Sequence, residues 1–158
     1  MFSTKNKMEY TFDITFKNRK ILHSFLDKFT LEELNHKPKG FNNTIIWNIA
    51  HVIVTQQLLV YDLSNIPMQV SDDLVAKYRK GTKTENDVTQ DEVDEIKRLL
   101  FSTVEQMEQD YKKGVFKSYN AYTTSTNSTM ACVEDAIAFN NFHEGIHLGY
   151  ILALKKSI

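Results

Sequence analysis

Four long stretches of the chain repeat apolar residues at helical spacing. In the first, Ile21, Leu22, Phe25, Leu26 and Phe29 recur every three or four positions from Ile14 onward. Its opening differs: Tyr10, Phe12, Ile14 and Phe16 alternate with Thr11, Asp13 and Thr15, as a half-buried strand would. A helix over residues 10–29 is expected, because a lone strand among helices has no partner for its backbone groups. Thr30-Leu31-Glu32-Glu33 has capping-box spacing and starts a short further turn.

A loop with Pro38, Gly40, Asn42 and Asn43 leads into a second helix over residues 44–63, with Asn43 or Thr44 as N-cap and Pro67 beyond its end. This helix is apolar on most faces, which predicts deep burial. The connection over 64–88 holds a short helix near 71–80. A third helix opens on Thr89-Gln90-Asp91-Glu92, another capping-box spacing, with Val93, Ile96, Leu100, Val104, Met107 and Tyr111 as its stripe. Asp94–Arg98 and Glu108–Lys112 are favourable pairs on its solvated side, and Lys112-Lys113-Gly114 ends it. After a segment rich in hydroxyls and aromatics, 115–129, a fourth helix spans 130–156, acidic at its start (Glu134, Asp135) and basic at its end (Lys155, Lys156).

The pattern predicts an all-α four-helix bundle over one domain, residues 1–158, in which the link between helices two and three is long enough to cross the bundle. Two prolines and five glycines in 158 residues agree with long helices rather than a many-turned sheet. A net charge of −1 and the lack of any basic run give no reason to expect nucleic acid or an anionic membrane as partner. The first ten residues carry lysines but no apolar run after them, so no signal peptide is expected. His51, Gln56 and Gln57 interrupt the longest apolar stretches, so no membrane span is expected either. Cys132 is the single cysteine, which leaves no internal disulfide and no cysteine-based zinc pattern. A cytoplasmic protein is the expectation.

The chemistry concentrates in histidines. His143 and His147 lie one turn apart on one face of helix four, which they share with Val133, Ala136, Asn140, Tyr150, Ile151 and Leu154, so the pair is expected to point inward. His51 sits in the apolar stripe of helix two, with Trp47, Val54, Thr55 and Leu58 around it. A buried imidazole must be hydrogen-bonded or ligated, and one ion would satisfy all three rings. His143-Glu144-Gly145-Ile146-His147 also spells H-E-x-x-H, the ligand pair and glutamate of zinc proteases. None of the eleven residues after His147 is His, Asp, Glu or Cys, so the third ligand is expected from upstream, at His51. Glu144 is then a base, a group behind the ligands or, more commonly for a helix glutamate, a solvated residue.

Trp47-Asn48-Ile49-Ala50-His51 and Asn140-Asn141-Phe142-His143-Glu144-Gly145-Ile146-His147-Leu148-Gly149 resemble the DinB/YfiT-like superfamily of metalloenzymes. That family has one histidine on helix two and H-x-x-x-H on helix four, and all three positions are filled here. The resemblance implies a four-helix bundle with a divalent ion, commonly nickel or zinc, held by His51, His143 and His147, and often a homodimer. It also implies a small-molecule substrate, since family members include transferases and isomerases that use low-molecular-weight thiols such as bacillithiol or mycothiol.

Three neutral imidazoles leave coordination positions open, as catalytic sites do. The leading expectation is a thiol-dependent transferase. A metal-dependent hydrolase and a non-catalytic bundle with a structural ion stand as alternatives, and the catalytic residues stay unassigned. Asn48, Thr55, Gln57, Asn140 and Asn141 are candidates for orienting ligands or substrate, Asn140 foremost because it precedes His143 by one turn. Cys132, near the start of helix four where the dipole favours thiolate, lies roughly 16 Å along the axis from His143, too far to ligate the same ion. Tyr119, Tyr122 and the run 123–129 either line a substrate entrance or wrap the bundle end.

Overall fold

Hydroxyl side chains start four of the helices by taking up backbone N–H groups that the first turn leaves free. Thr30 Oγ1 accepts from Glu33 N, and Glu33 Oε2 accepts from Thr30 N in return, a complete capping box. Thr44, Ser71 and Thr89 accept in the same way from Trp47, Leu74 and Glu92. The computed structural model describes residues 4–158, with side chains from residue 7; residues 1–3, the beginning of the stretch read above for a leader, lie outside the described residues. The helices are α1 (Thr4–Lys28), α2 (Leu31–Asn35), α3 (Ile45–Val60), α4 (Asp72–Tyr78), α5 (Gln90–Lys112) and α6 (Val133–Leu154).

The alternating stretch at the start of α1 is helical, because its buried residues are Met8, Phe12, Thr15, Arg19 and Leu22, a run of threes and fours that overrides the local strand-like pattern. In α3 every residue except Thr55 and Leu58 is buried. That helix stops at Val60, three residues earlier than expected, where a single 3₁₀ turn (Asp62–Ser64) and left-handed Asn65 redirect the chain. Glu108–Lys112 pairs as expected, whereas Asp94 accepts from Gln90 rather than pairing with Arg98. Gly114, at φ +66, ends α5 in the left-handed conformation that glycine adopts without a Cβ clash.

The side-chain contacts fix the topology. Gln56 meets Met107 and Tyr61 meets Asp110, so α3 and α5 run parallel. Thr15 meets Asn141, Arg19 meets Glu144 and Lys155 lies over Phe25, so α1 and α6 are parallel too. Between these pairs the contacts run antiparallel: Phe12 with Tyr111 and Asp27 with Lys97 for α1 and α5, Asn48 with His147 and Phe41 with Tyr150 for α3 and α6. The order is therefore up-down-down-up, and the link from α3 to α5 travels the length of the bundle, carrying α4 past the middle of α3 on the way. The expected crossing is present.

Between α5 and α6 the chain forms an unpredicted hairpin, β1 (Tyr122–Thr123) against β2 (Thr129–Met130), with Asn127 left-handed in its turn. Among the described residues no helix is long and apolar enough to cross a membrane.

Candidate metal centre and its cleft

α3 delivers His51 and α6 delivers His143 and His147, one turn apart. The antiparallel packing of α3 against α6 brings the three rings together, with centroids 4.5 to 5.1 Å apart and one nitrogen from each ring within 4.8 Å of the others. Backbone and amide groups set the tautomers. His51 Nδ1 is 2.6 Å from the Tyr78 carbonyl, which can only accept, so Nδ1 carries the proton and Nε2 the lone pair. Asn48 donates its amide to the Thr44 carbonyl, which turns its Oδ1 toward His147 Nδ1 at 2.8 Å and leaves the His147 Nε2 lone pair free. Trp47, one turn before His51, stacks on its ring at 4.7 Å and 12°. The remaining buried nitrogen, His143 Nδ1, has no hydrogen-bond partner among the described residues.

All three rings are held neutral. Burial lowers the His51 pKa; burial and then the other histidines and Arg19 lower His143 to about 2; burial and then His51 lower His147 to about 4. Neutral imidazoles at this spacing, with two proton-bearing nitrogens already tied to acceptors, fit a divalent ion. The same shifts give a pH prediction for the metal-free protein. Unfolded histidines take up protons below pH 6.5 while the folded ones do not, so stability falls as pH drops from 6.5 toward 4. The loss is up to about 1.4 kcal/mol per pH unit for each histidine. Urea melts between pH 7.5 and 4.5 check this: a His143→Asn/His147→Asn variant should lose less stability over that range, and an identical slope would contradict the neutral-ring reading.

The rings form the floor of a cleft of about 610 Å³. Thr55 and Leu58, the two residues of α3 that escape burial, line it, with Phe139, Phe142, Ile146 and Tyr150 from α6 as an apolar wall. The His143 and His147 side chains are only partly covered, so the face that carries them opens to this cleft rather than lying wholly in the core, and Tyr150 is 43% exposed. Tyr122, Thr124, Ser125 and Thr126 of the hairpin line the mouth; Tyr119 does not, and instead donates to the Leu59 carbonyl.

Of the polar candidates, Asn48 and Thr55 reach the rings, Thr55 Oγ1 lying 3.3 Å from His51 Nε2. Gln57 serves Gln69 N, Asn141 bridges to Thr11 and Thr15, and Asn140 donates to Glu144. Glu144 is no solvated residue: it is fully buried, with Oε1 accepting from Arg19 Nε at 2.9 Å and from Asn140 at 2.8 Å. Cys132 stands at the α6 N-cap without a side-chain capping bond, and burial pushes its thiol up, against the dipole expectation. Two contributors lay outside the sequence reading. The Tyr78 carbonyl had no sequence signal, whereas Arg19 had one, a cation in the core register of α1.

The protein is a helical bundle with three neutral histidines gathered at the floor of an open cleft, a cluster compatible with a metal site. The sequence model of the DinB superfamily matches residues 16–151, and the chain belongs to that superfamily. Comparison with curated proteins gives no significant match.

Proposed function

We propose that this protein is a divalent-metal-dependent enzyme that activates a thiol for transfer, with His51, His143 and His147 as ligands and nickel or zinc as the ion. The observation that carries the reading is the placement of the three-histidine cluster at the floor of a substrate-sized cleft, where a purely structural ion would be closed over by protein. A divalent ion bound there would lower the pKa of a thiol brought to it, supplying a nucleophile near neutral pH.

The chain's own residues do the rest. Tyr78 and Asn48 keep the ligand lone pairs aimed together. Trp47, Leu58, Phe139, Phe142 and Ile146 exclude water and favour a substrate with an apolar body. Lys80 and Asp62 are the one cation and the one carboxylate lining the cleft among the described residues, so the lining has no net charge and an anionic group is favoured only beside Lys80. Imidazole donors suit zinc and nickel rather than magnesium or calcium.

The test is to load the purified protein with nickel or zinc and follow consumption of bacillithiol in the presence of an aryl halide. One ion per chain and metal-dependent thiol consumption are expected. Metal-dependent ester hydrolysis without thiol consumption would replace the transferase by a hydrolase. An ion that raises the melting temperature while neither activity appears would make the site structural.

A further inference from the structure

Glu92 has a local role open to it that it does not take. In the Thr30 capping box the glutamate three residues on turns back and accepts from the threonine N–H. Thr89 and Glu92 have the same spacing, and Thr89 fulfils its half by accepting from Glu92 N. The Glu92 carboxylate, however, leaves its own helix and takes the end of α4: Oε1 accepts from the Tyr78 hydroxyl at 2.5 Å, and Lys77 Nζ lies 2.6 and 2.8 Å from the two oxygens.

What α4 does at that end is hold His51. Tyr78 is its last residue, so its carbonyl has no partner in the helix and is free to accept the His51 Nδ1 proton at 2.6 Å. The Tyr78 ring is buried, so anchoring its hydroxyl fixes the residue at one end while the carbonyl acts at the other. One residue further on, beyond Arg79, the residues Lys80, Gly81 and Thr82 line the cleft. A seven-residue helix has little stability of its own and depends on such anchors.

We infer that Glu92, on the first turn of α5 and remote from the three rings, is a positioning residue for the metal centre: through Tyr78 it sets the acceptor that orients His51 and the adjacent wall of the cleft. This rests on the reading of His51 as a ligand. An unanchored Tyr78 lets the His51 ring turn, and the Nε2 lone pair then no longer converges with those of His143 and His147. Groups behind ligands typically change metal affinity about 10- to 100-fold.

The experiment compares wild type with Tyr78→Phe, Glu92→Ala and Glu92→Gln by two readouts. The first, in metal-free protein, is the exchange protection of the His51 Nδ1 proton by ¹⁵N-resolved NMR. The second is zinc affinity by chelator competition. Tyr78→Phe and Glu92→Ala should lose the protection and weaken zinc about tenfold or more, and Glu92→Gln, which keeps an oxygen for the tyrosine, should recover most of both. Tyr78→Phe removes a single hydroxyl and carries the test if Glu92→Ala does not fold. A lowered melting temperature with unchanged protection and zinc affinity within threefold of wild type would overturn the inference. If wild type binds no zinc or nickel but the variants still lose protection, the ligand reading fails while the Glu92–Tyr78–His51 linkage stands.

Discussion

If the three histidines hold the ion as proposed, replacing His147 by alanine will abolish stoichiometric binding of zinc or nickel while leaving the metal-free bundle folded. Among the described residues His147 is one of three imidazoles whose nitrogens converge, and its Nε2 lone pair is presented to the cleft because Asn48 holds Nδ1 from behind. Two imidazoles cannot replace the set, so affinity should fall by well over the roughly 100-fold that marks loss of a group behind a ligand. Asn48→Ala, which keeps the ring and removes only its orienting acceptor, should stay inside that 10- to 100-fold range. The order of the two losses carries the argument. Stability behaves differently, because the ring lost is neutral and partly open to the cleft, so its removal strands no buried charge. Metal content after dialysis, chelator competition and thermal melts of the metal-free proteins give all three quantities. Retention of one tightly held ion per chain by His147→Ala would remove the residue from the ligand set.

The ligand candidates were legible because the information is periodic: His143 and His147 share a helix face by spacing alone, and His51 stands out as a ring in an apolar stripe. Four helix starts were legible for a similar local reason, since Thr30, Thr44, Ser71 and Thr89 each act on N–H groups within three residues, whereas α1 begins at Thr4 and α6 at Val133 rather than at the expected 10 and 130. At the start of α1 the strand-like alternation was real, yet the helix expected for want of a strand partner is what forms, with burial following Met8, Phe12, Thr15 and Arg19. What stayed hidden depends on contacts between distant segments. The acceptor for His51 is a backbone carbonyl, which every residue has, placed by a connection that runs 27 positions away. Asn48, not Asn140, orients a ring, because proximity across the α3–α6 interface outweighs proximity along α6. Glu144 was misread because its cation, Arg19, lies 125 positions upstream on another helix.

That pair sets up the second large effect. Arg19→Met should destabilise the protein by about 3–5 kcal/mol, the cost of leaving one member of a buried ion pair uncompensated. Both side chains are fully buried, and Arg19 reaches Glu144 through Nε as well as through Nη2, which lies 2.8 Å from Oε1 but outside hydrogen-bond alignment. Arg19 Nη1 further donates to the Leu100 carbonyl of α5, so one guanidinium ties α1, α5 and α6 together. Glu144→Leu should cost a similar amount for the opposite reason, leaving a buried cation with only a carbonyl and no counter-charge. The double variant Arg19→Met/Glu144→Leu removes both charges and fills the space with apolar atoms, so it should cost far less than the two single changes added together. Among the described residues Glu144 Oε2 and Asn140 Oδ1 are also buried without partners, which adds to the cost of keeping this network polar. Urea unfolding of the four proteins measures the cycle, and single losses below about 1 kcal/mol would mean that water reaches the pair. Glu144 is the residue after His143, so the pair also fixes the rotation of α6 at the point where the His143 side chain leaves it. If the double variant recovers stability but binds zinc about tenfold or more weakly than wild type, the ion pair serves to orient the site rather than to hold the bundle together.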